Sequence, residues 1–101
     1  MKGAGTFADV GLVAVEYHSD GRVADVARWA MDVGCSVAVT DNSSTYDGPG
    51  LVVRPGQNLG FGAACNWAVR ALPGEASIIV LHNPDVSVAP AVLDELVCSV
   101  R

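Results

Sequence analysis

Apolar residues run unbroken from 10 to 15 as Val10-Gly11-Leu12-Val13-Ala14-Val15. A continuous run of this length, without alternation, is the pattern of a strand covered on both faces of a parallel sheet. Beyond Ser19 and Asp20, either of which suits a helix cap, Val23, Val26, Ala27 and Ala30 recur at helical spacing until Gly34 ends the stripe. Residues 35–40 read as a second strand that runs into the polar, Gly- and Pro-containing loop 41–50. Residues 51–54 make a short third strand. Phe61, Ala64, Cys65, Ala68 and Leu72 then trace a second helix, closed by Pro73-Gly74. Residues 76–81 form the most strand-like segment of the chain. Pro90 is placed for the first turn of a third helix whose apolar face is Leu93, Leu96, Val97 and Val100.

The resulting order, strand, helix, strand, strand, helix, strand, helix, predicts an α/β fold. It is a Rossmann-like three-layer parallel sheet with right-handed crossovers. At 101 residues the chain is one domain, and its 50% hydrophobic content is enough to build a core. The net charge of −5, with six Lys and Arg in all, argues against a nucleic-acid partner, because phosphate backbones are held by clustered cations. Cys35, Cys65 and Cys98 are odd in number and widely spaced, which fits small buried apolar residues in a reducing compartment rather than disulfides. No apolar stretch approaches a membrane span and no signal-peptide block opens the sequence, so the expected location is cytoplasmic.

Ligands of open parallel sheets bind beyond the carboxyl ends of the strands, and there the chain is polar. The first strand exits through Glu16-Tyr17-His18-Ser19, the second through Asp41-Asn42-Ser43 and the fourth through His82-Asn83-Pro84-Asp85. The Asp41 carboxylate is suited to accept from the N3–H of a uracil or thymine ring; its alternative role is a helix cap or Asx turn. Asp85, placed by Pro84, offers a hard oxygen for Mg²⁺ or Mn²⁺, which often use one or two carboxylates and take water and phosphate for the rest. Asn83 offers an amide oxygen or a bond to a sugar hydroxyl, against the plainer role of an Asx-Pro turn. Gly60 and Gly62 allow close backbone approach at a helix start, where phosphate is well held, but Cys65 and the turn after the first strand break the dinucleotide fingerprint. A metal shared by His18, His82 and Asp85 lacks a recognised ligand spacing.

Taken in order, Val15-Glu16-Tyr17-His18-Ser19, Val39-Thr40-Asp41-Asn42-Ser43-Ser44, Asn58-Leu59-Gly60-Phe61-Gly62-Ala63-Ala64-Cys65-Asn66 and Leu81-His82-Asn83-Pro84-Asp85-Val86 resemble the N-terminal half of a family-2 glycosyltransferase of GT-A fold, rhamnosyltransferase-like. The resemblance covers about residues 10 to 97 and implies the strand order 3-2-1-4. It implies inverting transfer from a nucleoside diphosphate sugar, dTDP- or UDP-linked, to a hydroxyl acceptor. By position, Tyr17 and His18 would line the nucleoside pocket, Asp41 would bind the base, and Asn58 and Asn66 would bracket the turn at Gly60 near the donor. Asp85, at the last position of a D-x-D-like motif whose first carboxylate is Asn83, would hold Mg²⁺ or Mn²⁺ against the diphosphate. The acceptor half and the catalytic base of the family are not matched, so the domain is expected to be truncated and no catalytic residue is assigned. The fourth strand is then expected to be an apolar edge that self-associates or takes a partner. Peripheral contact with the inner face of a membrane fits the same family, and a non-catalytic nucleotide-binding or assembly module is the alternative.

Overall fold

A computed structural model describes residues 7–74, 76–83 and 90–100. The elements are β1 (Val10–Glu16), α1 (Arg22–Asp32), β2 (Ser36–Asp41), β3 (Leu51–Val53), α2 (Phe61–Ala71), β4 (Ile78–His82) and α3 (Pro90–Val100). All four strands are parallel and lie in the order β3-β2-β1-β4, the order expected from the resemblance. That order also separates the fold from flavodoxin-like sheets, in which the third strand lies on the far side of the first.

Strand pleating decides what each residue faces. Val10, Leu12 and Ala14 of β1, with Val37 and Val39 of β2, pack against Val23, Val26, Ala27 and Ala30 of α1 and Leu93 and Val97 of α3. Val13 and Val15 of β1, with Ala38 of β2, point the other way and meet Ala64, Cys65 and Ala68 of α2. Three layers result, with α1 and α3 on one face of the sheet and α2 on the other. β1 is buried at all seven positions, which accounts for its uninterrupted apolar run. The small residues of α2 allow close helix approach, and the Thr40 hydroxyl donates to the Ala64 carbonyl at 2.7 Å, fastening β2 to the first turn of α2.

Two expectations are corrected. The apolar face of α3 is narrower than its sequence implies, since Leu93 and Val97 are buried whereas Leu96 and Val100 are 50% and 66% exposed. A single i, i+4 pair suffices where a helix meets a sheet through one contact line. Cys35 and Cys65 are buried free thiols, but Cys98 is exposed on α3. Burial pushes the Cys35 thiol up to about 11 and raises that of Cys65.

β4 terminates the sheet. Because α2 packs over β1, β2 and β3, it leaves the same face of β4 bare, and Ile79 and Leu81 are 44% and 55% exposed. A groove of about 280 Å³ follows this edge between β4 and α3, lined by Ile79, Leu81, Leu96 and Val100 among others. Among the described residues, no helix is long and apolar enough to cross a membrane.

Candidate functional site

The carboxyl ends of the strands are shaped by buried hydrogen bonds. Glu16, the last residue of β1, accepts from the Ser19 N–H at 2.9 Å and from the Ser19 hydroxyl at 2.6 Å. The Ser19 Oγ in turn accepts from Val23 N–H at 3.2 Å, so Ser19 supports the start of α1 although Gly21 occupies the formal cap position. The tight turn forces His18 and Asp20 to φ values of 52° and 57°, the left-handed region that non-glycine residues seldom occupy. Tyr17 and His18 project outward from it with their rings 4.5 Å apart and tilted by 57°.

At the β2 exit the parity of the strand separates two neighbours. Asp41 follows Val37 and Val39 towards the α1 face. It is 0% exposed, and its Oδ2 accepts from Tyr46 N–H at 2.8 Å while Oδ1 accepts from the N–H groups of Ser43 and Thr45, each at 3.3 Å. Arg54 Nε lies 3.5 Å from Oδ2, and its Nη2 donates to the Tyr46 carbonyl. The Tyr46 ring is buried and its hydroxyl, donating to the Pro49 carbonyl, is pushed up to about 12 by burial. Asp41 therefore winds the loop after β2 around itself. This is the Asx-type role left open by the sequence, and it leaves neither carboxylate oxygen facing a cleft.

Asn42 follows Thr40 towards the α2 face. Its N–H donates to the Glu16 carbonyl at 2.9 Å, and its Oδ1 accepts from Leu59 N–H at 3.3 Å, tying the β2 exit to the segment before α2. In that segment Asn58 Oδ1 accepts from Gly60 N–H at 3.1 Å, and Gly60, at φ 80°, turns the chain into α2 without a side-chain cap. The first N–H groups of a helix have no partner within it, so this end of α2 offers donors and a partial positive charge.

These segments enclose a cleft of about 230 Å³ lined by Val15, Tyr17, Asn42, Asn58, Gly60, Phe61 and Asn83. It gathers residues from the β1 exit, the β2 exit, the start of α2 and the β4 exit. Of the positions assigned from sequence, Tyr17, Asn58, Gly60 and Asn83 line it. His18 does not; it lines a separate cavity of about 170 Å³ on the α1 face, with Glu16, Asp20, Thr45, Tyr46 and Asp47. Asn66 lies exposed on α2 outside the cleft lining, and Asp85 lies outside the described residues. Asn42 and Phe61 are the residues that sequence reasoning missed. The signal for Asn42 was present in the strand pleat, because even positions of β2 face α2.

Among the described residues, no group of three or more His, Cys, Asp and Glu is set to hold a metal ion. Around the cleft itself the described oxygen donors are the amides of Asn42, Asn58 and Asn83 and the Tyr17 phenol, a poor set for a divalent cation without a carboxylate. No protein-family model matches the chain, and no curated protein or solved structure is significantly similar to it.

Proposed function

We propose that the chain is the donor-binding domain of a glycosyltransferase, taking a uridine or thymidine diphosphate sugar at the carboxyl edge of its sheet. The observation that carries this reading is the convergence of four separated sequence segments on one cleft: Tyr17, Asn42, Asn58 with Gly60, and Asn83. Each comes from one of the segments that resemble the family; the carboxyl ends of parallel strands lie side by side in any such sheet, and what is particular here is that the lining they bring is amide and aromatic rather than charged. The start of α2, with Gly60 permitting close approach, provides the diphosphate end of the site. Mg²⁺ or Mn²⁺ is assigned to Asp85 together with the diphosphate oxygens. Bound there, the ion would offset charge on the leaving diphosphate.

Titration calorimetry with UDP, dTDP and ADP, with and without Mn²⁺, tests the assignment. Binding of the pyrimidine diphosphates, strengthened by Mn²⁺ and losing only that increment in Asp85→Ala, is the expected result. Equal binding of ADP, or no binding of any of the three, would refute it.

A second reading, a non-catalytic assembly module that keeps the nucleotide site, is favoured by the bare apolar edge of β4. Labelled donor supplied with hydroxyl acceptors separates the two, since only an enzyme releases the diphosphate at a rate that depends on the acceptor.

A further inference from the structure

Asn42 is buried to 7% exposure, yet one of its polar groups is unused. Its Oδ1 is committed to Leu59 N–H at 3.3 Å, and that contact fixes the amide orientation, since the flipped amide would set NH₂ against N–H. Among the described residues the Nδ2 amino group has no acceptor, and it is not sealed from solvent. It belongs to a side chain that lines the cleft. A donor that opens from a buried residue into a cleft is held in place by its partnered oxygen and is free to be completed by water or by a ligand. Asn58, exposed at the cleft rim, has its Oδ1 taken by Gly60 N–H and turns its amino group to solvent, where it can add a second donor. The cleft therefore offers hydrogen-bond donors from two amides and no carboxylate acceptor.

Its walls describe the rest of the ligand. Tyr17 and Phe61, 46% and 41% exposed, both line the cleft and present aromatic surface on which a flat ring can stack. Apart from the Tyr17 phenol the lining carries no ionisable side chain. A neutral planar ring bearing carbonyl oxygens satisfies both features, and a pyrimidine-2,4-dione has two such oxygens on one edge.

We infer that Asn42, and not Asp41, reads the base, its Nδ2 donating to a ring carbonyl of a uracil or thymine stacked against Tyr17 and Phe61. This rests on the nucleotide-sugar reading and reverses the polarity expected from the sequence, in which a carboxylate accepts from the ring N3–H. Asp41 is consumed by its own loop, and the residue beside it supplies a donor.

Asn42→Asp is the discriminating substitution, because it preserves the oxygen that accepts from Leu59 N–H and exchanges the amino group for a second, negatively charged oxygen, turning a donor to the base into a repelling acceptor. UDP affinity should fall about tenfold in this variant, the scale of one hydrogen bond to a buried group. The near-ultraviolet circular dichroism should be unchanged. In the native protein, ¹⁵N-detected side-chain amide signals absent from the variant identify Asn42. They should shift with UDP and with uridine, and stay in place with inorganic pyrophosphate. If UDP binds both proteins equally, or if pyrophosphate shifts the Asn42 signals and uridine does not, base reading by Asn42 is overturned while the nucleotide-sugar reading stands. Failure of the native protein to bind UDP overturns both.

Discussion

Replacing Asp41 by alanine removes the centre of the loop that follows β2. The carboxylate is wholly buried and receives one short bond, from Tyr46 N–H at 2.8 Å, two long ones, from the Ser43 and Thr45 N–H groups at 3.3 Å, and a marginal one from the Ser43 hydroxyl at 3.4 Å. A bond to a charged acceptor contributes about 2 kcal/mol when short, and the two long ones add a fraction of that each. Arg54 adds little, because its side chain is 55% exposed and recovers water when its partner is lost, which limits the ion pair to at most about 1 kcal/mol. The expected loss is therefore about 3 kcal/mol, a large share of the roughly 5–15 kcal/mol that holds a domain of this size together. It should lower the melting temperature by about 15 °C. Urea unfolding followed by far-ultraviolet circular dichroism measures the loss at constant slope, and Arg54→Gln provides the control, expected to cost less than about 1 kcal/mol. A cost for Asp41→Ala below about 1 kcal/mol, or equal costs for the two variants, would refute the buried-anchor account.

Thr40→Val should cost about 1 kcal/mol in the same assay, since it removes the buried hydroxyl that donates to the Ala64 carbonyl and keeps the shape. A neutral result would mean that this fastening contributes nothing to stability. The Cys35 thiol and the Tyr46 hydroxyl, raised by burial to about 11 and about 12, release their protons at lower pH in the unfolded chain. Stability should hold below pH 9 and decline as pH rises towards 12, and a flat urea midpoint across that window would contradict it. Iodoacetamide at pH 7.5 should modify Cys98 alone in the native protein and all three thiols in urea, as counted by mass spectrometry. If copies pair along the bare edge of β4, the native protein should self-associate with rising concentration in analytical ultracentrifugation and Ile79→Lys with Leu81→Lys should abolish it; a native monomer at all concentrations, or an unchanged profile in the variant, would refute that pairing.

The fold was legible because β1 could be read without tertiary knowledge: a six-residue apolar run belongs in a sheet centre, and the alternation of strands and helices gave the parallel three-layer class, while the strand order came from the family resemblance. The stripe Val23, Val26, Ala27 and Ala30 marked the buried face of α1 correctly for the same reason. Leu96 and Val100 were misread because periodicity records what is apolar, not how much of it a neighbour covers. Tyr17, Asn58, Gly60 and Asn83 line one cleft, as the carboxyl-edge rule requires. The sequence reading followed chemical type at Asp41 and Asn42, whereas strand parity places Asp41 in its own loop and Asn42 on the cleft. A carboxylate attracts the eye as a ligand group, but one emerging on the α1 face is most easily satisfied by the backbone of its own loop.

The register of the sheet has a consequence for the order in which the chain assembles. β1 and β2 are joined through α1 alone, so their pairing closes a short loop, whereas Val10 meets Ile78 only after everything between them has been gathered in. β4 is thus the last strand to dock, and it carries Asn83 into the cleft. Any fraction of molecules in which that strand has peeled away retains Tyr17 and Asn42 and has lost the fourth wall. Ligand that touches Asn83 will therefore slow hydrogen exchange along Ile78–His82 more than anywhere else in the sheet.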